Sequence, residues 1–175
     1  MKVIKAIEFA SKKHKGQVRE NTGIPYITHP VIVMELIMKY KGDSKHIEEL
    51  KCSALLHDTL EDTECTYVEL ERNFGPMVAS IVMELTNDDD MIKSIGKLEY
   101  HKIKLVNMSN YAFIIKLVDR LANMMDKPKI NSVKNTLKLM SYLKDNRDIT
   151  DRQWAIIEEI ERVCDKIIRK EKKCN

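Results

Sequence analysis

Residues 53–63 read SALLHDTLEDT: His57, Asp58, Glu61 and Asp62 fall within six positions, beside the apolar run Ala54-Leu55-Leu56. Apolar positions Ile47, Leu50, Ala54 and Leu55 predict an amphipathic helix from about Ser44 to Leu60. On such a helix residues i and i+4 nearly superpose, so Glu61 stands one turn above His57 and Asp62 one turn above Asp58. Adjacent His57 and Asp58 then lean towards one point, and two further carboxylates overhang it. Left uncompensated in a partly buried place, such a cluster costs on the order of several kcal/mol. A divalent cation removes that cost. The plainer alternative is a solvated helix end that is merely polar.

Working outward, the same periodicity recurs along the chain. Val3, Ala6, Ile7 and Ala10 predict a helix over 3–13, and residues 15–28 read as a structured loop. Pro30 suits the first turn of the next helix, which ends at the Lys-Gly-Asp stop. Thr66 and Glu69 form a capping box for a short helix ending at Asn-Phe-Gly-Pro. Further helices are expected over 77–86, 91–107, the apolar segment after Asn110, 132–145 and 151–170. Thr86–Asp90 reads as a polar break before the second of these, and Thr150-x-x-Gln153 opens the last. No segment alternates with period two, and no hairpin dipeptide appears. The expectation is an all-α fold, a compact multi-helix bundle.

Bulk properties narrow the function classes. A chain of 175 residues suits one domain, 1–175, able to bury roughly 70% of its unfolded surface. The formal charge of +3 is too mild to argue for nucleic acid, and no basic stripe with interleaved aromatics appears. Cys52, Cys65, Cys164 and Cys174 show no CxxC spacing, which fits free thiols in a reducing cytoplasm. The charged N-terminus lacks a secretory core, and no apolar run is long enough to span a membrane.

Two distant positions join the cluster. His29 lies in Tyr-Ile-Thr-His-Pro, where the chain turns into the second helix, and Asp119 interrupts the apolar stripe of Leu117, Val118 and Leu121. A mid-helix Asp among such residues has a partner or a metal. A salt bridge would serve Asp119, and a lone His29 would pass as an ordinary histidine. Together with His57 and Asp58 they make an N2O2 donor set, suited to Mn²⁺ or Fe²⁺ more than to a thiolate-loving structural zinc. Four protein ligands leave an octahedral ion positions for water and a substrate oxygen, the arrangement for metal-assisted hydrolysis. Glu61 and Asp62 would then stand over the water as general base and acid, or orient it.

The segments HKGQVRENTGIPYITHP, ALLHDTLEDT, ERNFGPMVASIVMELTNDD and IIKLVDRLANM, in that order, resemble the HD-domain hydrolases of guanosine 3′-pyrophosphate alarmones. The likeness is closest to the small single-domain members of the RelA/SpoT hydrolase type and spans about residues 5–145. It implies the HD phosphohydrolase bundle and one divalent ion per chain, Mn²⁺ in most members, held by His29, His57, Asp58 and Asp119. The implied reaction converts ppGpp or pppGpp to GDP or GTP plus pyrophosphate, which lowers the alarmone signal. Glu61 and Asp62 match the family's catalytic pair. Arg19 matches an arginine against the nucleobase, Asn123 an asparagine near the ribose and 3′-phosphate, and Lys93 a lysine that meets phosphate. Lys138 and Tyr142 match a further basic–aromatic pair more loosely, and a solvated helix lysine is the plain alternative for Lys93 and Lys138.

Two positions depart from the family pattern. Glu20 stands where a lysine is common, and Met125 where an arginine is common. Both touch substrate recognition. Another phosphorylated nucleotide, such as the 2′-phosphate of NADPH or a different signalling nucleotide, therefore stays an alternative. A non-catalytic nucleotide-binding module would not need the Glu61–Asp62 pair. Self-association stays open.

Overall fold

The computed structural model describes residues 1–174, with the side chain of Cys174 outside the described residues. All its regular elements are helices, and the only β-type pairing among the described residues is an isolated bridge between Val18 and Pro25. The helices are α1 (Lys2–Lys13), α2 (Thr28–Lys41), α3 (Ile47–Leu56), α4 (Thr59–Asp62), α5 (Tyr67–Phe74) and α6 (Pro76–Leu85). They continue with α7 (Asp89–Ile95), α8 (Lys97–Asn107), α9 (Asn110–Met125), α10 (Ile130–Asn146) and α11 (Asp151–Cys174). The all-α expectation holds.

Backbone contacts divide the chain into two units, and α9 runs through both. The first comprises Met1–Asn87 and Asn110–Lys116. Its centre is α3, which packs against α1, α2 and α6. Ala6 and Ala10 of α1, Val33 and Ile37 of α2, Leu50 and Leu55 of α3, and Val78 and Val82 of α6 are fully buried. Alanines one turn apart on α1 leave a smooth face for close approach of α3. The polar loop after α1 is held by its own main chain: Arg19 N–H donates to Ile24 O, Gly23 N–H to Arg19 O, and Tyr26 N–H to Gln17 O. Gly23 takes φ +69°, which a glycine adopts without strain. That closure delivers Tyr26 and His29 to the start of α2, where Pro30 occupies the first turn.

The second unit comprises Asp88–Ser109 and the chain from Leu117 onward. Here α10 packs against α8 and α11, burying Leu105, Val133, Leu139, Leu143, Ile156 and Ile160. A reciprocal box opens α11: Thr150 N–H donates to Gln153 Oε1 at 3.0 Å, and Gln153 N–H returns to Thr150 Oγ1 at 3.5 Å.

Two expectations are corrected. The helix expected over 91–107 is two helices, broken at Gly96 with φ +86°. The polar segment before it contributes its own start, because Asp88 Oδ1 accepts from Met91 N–H at 2.9 Å and caps α7. The Thr66 box is present: Thr66 Oγ1 accepts from Glu69 N–H at 3.2 Å, and the Glu69 carboxylate meets the Thr66 main-chain N–H while also taking Lys13 Nζ at 2.7 Å.

Candidate active site

Around the opening stretch the chain departs from a continuous helix. α3 ends at Leu56, His57 and Asp58 form a turn, and the four-residue α4 follows. Two hydroxyls compete locally for main-chain acceptors. Thr59 Oγ1 donates to Leu56 O at 2.7 Å, and Thr63 Oγ1 donates to Thr59 O at 2.6 Å. His57 and Asp58 keep right-handed helical dihedrals through the turn, and Asp62 N–H reaches Asp58 O at 2.9 Å.

His57 is buried, and its Nδ1 lies 2.7 Å from Ala54 O. A carbonyl can only accept, so the proton sits on Nδ1 and the Nε2 lone pair faces the site. Asp58 Oδ2 lies 2.9 Å from that Nε2 and 3.9 Å from His29 Nε2. The two imidazole rings are 5.2 Å apart. Helix α9 carries Asp119, and the ligand atoms of His29, His57 and Asp119 all lie within 4.8 Å of one another, each residue buried. Asn123, one turn further along α9, donates from Nδ2 to Asp119 Oδ1 at 2.7 Å. Lone-pair nitrogens converging with carboxylate oxygens, backed by donors to those carboxylates, form a donor set that fits a borderline divalent cation.

The acidic pair points two ways. Glu61 is clamped through both oxygens by Asn87, from its main-chain N–H at 3.0 Å and from its side-chain Nδ2 at 2.9 Å. Asp62 lies 3.4 Å from the Tyr26 hydroxyl, which also donates to Asp58 Oδ2. Desolvation, followed by the charges of Asp58 and Glu61, raises the Asp62 pKa above the ordinary carboxylate value, with His14 and Tyr26 opposing. A cavity of about 440 Å³ opens beside Asp62, lined also by Phe9, Lys12, Lys13 and Gln17.

The remaining candidates are placed as follows. The Arg19 guanidinium lies over the Tyr26 ring at 5.8 Å, and Glu20 beside it is exposed. Lys93 projects to solvent from α7 and pairs with Asp90 Oδ1 at 3.3 Å. Lys138 is exposed on α10, and the Tyr142 ring, one turn on, receives Lys102 Nζ at 5.0 Å. Met125 is exposed at the end of α9. In the second unit Lys97, His101, Arg120 and Lys129 line a cavity of about 320 Å³ with Asn131, Ser132 and Asn135. Tyr26, Asn87, Lys97, Gln17 and His14 carry no assignment from the sequence; the contacts of Tyr26, Asn87 and Gln17 with the acidic turn join segments far apart in the chain.

The HD domain family pattern matches residues 6–163. The chain belongs to the HD domain family. Among HD-domain proteins it is 38% identical over 128 residues to the guanosine-3′,5′-bis(diphosphate) 3′-pyrophosphohydrolase MESH1 of Danio rerio, covering 71% of this chain and 68% of that one. It is 36% identical over 128 residues to MESH1 of Homo sapiens, with the same coverage. The guanosine-3′,5′-bis(diphosphate) 3′-pyrophosphohydrolase of Aquifex aeolicus is 31% identical over 90% of this chain, which matches 22% of that longer protein. In three dimensions the HD-domain chain is similar to a metazoan ortholog of SpoT that hydrolyzes ppGpp and plays a role in starvation responses. That likeness has a TM-score of 0.77 and 25% identity, over 92% of this chain and 94% of the other. No helix among the described residues is long and apolar enough to cross a membrane.

Proposed function

We propose that this chain is a (p)ppGpp 3′-pyrophosphohydrolase that works with one bound divalent cation, Mn²⁺ by preference, in the cytoplasm. The observation that carries the reading is the convergence of His29, His57 and Asp119, with Asp58 beside both imidazoles, next to the Glu61–Asp62 pair. Relatives with the named activity, matched over most of this chain, support the same substrate class. The cysteines whose side chains are described are free and buried, as in a reducing compartment.

His29, His57, Asp58 and Asp119 would hold the cation, which when bound polarises phosphate oxygens and acidifies a water. The rest is done by the chain. Asn87 holds the Glu61 carboxylate in place to orient the attacking water. Asp62, whose proton affinity is already raised, takes the water's proton. The bond between the ribose 3′-oxygen and the pyrophosphate breaks, hydroxide is added to the pyrophosphate, and the proton passes to the ribose oxygen. Arg19 on Tyr26 offers a flat cation for the base, and Asn123 meets the ribose while bracing Asp119. Lys93, Lys138 and Tyr142 would serve the phosphates and base as the family resemblance implies, and Lys97, Arg120 and Lys129 line a basic cavity of the second unit.

The test is a panel of ppGpp, pppGpp, NADPH and GTP with purified protein and Mn²⁺. Pyrophosphate release from ppGpp is expected, and phosphate release from NADPH with ppGpp untouched would overturn the reading. Asp58→Ala should lose metal and turnover together. Glu61→Ala should keep the metal and lose about 10²–10⁴-fold in turnover.

A further inference from the structure

The turn that carries Glu61 and Asp62 cannot hold itself. α4 has four residues, far below the length at which a helix persists alone, and no side-chain cap closes its start. Its final carbonyls are the acceptors that every helix leaves without an intrahelical donor. One of them is satisfied from a distant segment. Gln17 Nε2 donates to the main-chain oxygen of Asp62 at 2.9 Å, across 45 positions of sequence.

Gln17 is itself oriented. Its Oε1 lies 2.7 Å from His14 Nδ1, and His14 is buried at 3% exposure with its ring 4.7 Å from that of Tyr26. The proton assignment follows from these contacts. His14 Nε2 is buried with no hydrogen-bond partner, so a proton there would lack an acceptor and belongs on Nδ1. Nδ1–H then donates to Gln17 Oε1, which turns the amide nitrogen of Gln17 outward to Asp62 O. His14 is also the residue that ends α1, its N–H bonded to Ala10 O at 2.9 Å. The relay therefore ties the catalytic turn to a helix anchored in the core by Ala6 and Ala10.

We propose that His14 and Gln17 are positioning residues, which fix the main chain at Asp62 and so aim its carboxylate. Because Gln17 takes the carbonyl and not the carboxylate, the side chain of Asp62 stays with Tyr26 and the reacting water. The proposal rests on the hydrolase reading above, but its geometry does not depend on which nucleotide is cleaved.

Gln17→Glu is the decisive variant. It keeps shape and still accepts from His14, yet has no donor for Asp62 O. Turnover of ppGpp by Gln17→Glu and by Gln17→Ala is expected to fall about 10- to 100-fold at nearly unchanged KM, with the melting temperature retained. Exchange of the Asp62 amide hydrogen, bonded to Asp58 O, should quicken in the same variants. His14→Ala should behave likewise, and His14→Asn, whose Nδ2 can replace the imidazole donor, should recover part of the loss. Unchanged turnover with unchanged Asp62 exchange in Gln17→Glu overturns the proposal. So does a loss of turnover that only tracks loss of folded protein. If wild type leaves ppGpp intact while Gln17→Glu still loosens Asp62, the substrate reading falls and the positioning relay stands.

Discussion

The Asp62 carboxyl is raised first by desolvation and then by Asp58 and Glu61, so the folded chain holds its proton more tightly than the unfolded chain does. The sign of the linkage follows. Ionised Asp62 is a penalty on the fold at pH above its raised value, and the penalty shrinks as pH falls through that value towards the ordinary 3.8. In chelator-treated protein, Asp62→Asn should therefore raise the melting temperature at pH 7.5, and the gain should fade on acidification. Thermal melts across that range check it, and an equal or lower melting temperature at pH 7.5 would contradict it. The same residue shows the limit of spacing arguments. Its acidic neighbours Asp58 and Glu61 were legible from the sequence. Its partners Tyr26 and Gln17 lie 36 and 45 positions away, and no spacing rule reaches them.

Helix existence was legible wherever apolar residues recur at helical spacing, as were the stops at Lys-Gly-Asp and Asn-Phe-Gly-Pro, but two breaks were not. Apolar periodicity runs through His57–Asp58 and through Gly96, since a single glycine in a helix costs only about 1 kcal/mol against alanine. At Gly96 the backbone takes φ +86° and ψ 147°, a region open essentially to glycine alone. A Cβ there would meet nothing within 4 Å, so the cost of Gly96→Ala is backbone strain and not a clash. It should lower the unfolding free energy by about 1–3 kcal/mol. Urea denaturation measures this, and no loss would mean that α7 and α8 accept another joint. At Thr59 the break has a different cause. The hydroxyl takes a carbonyl that a continuing helix would have used, and the pattern of apolar residues carries no trace of that choice.

At the scale of the whole molecule, a cation held as proposed by His29, His57, Asp58 and Asp119 would be coupled to folding, because the unfolded chain has no such site. Mn²⁺ at about 100 times its Kd should add about 2.7 kcal/mol to stability. Melts with Mn²⁺ and with chelator measure this, and Asp58→Ala should abolish the shift. An identical melting temperature in both conditions for wild type would sink the metal reading. By itself the sequence determined the helical class and the family, since these follow from periodicity and from rare residue combinations at set spacings. Tertiary structure alone decided that Glu61 belongs to Asn87 and that Tyr26 bridges Asp58 and Asp62. It also decided that Lys93 turns to solvent while Lys97 lines a basic cavity. Hydrogen-bond partnership depends on which distant backbone segments packing brings within about 3 Å, and that information is not carried by local pattern.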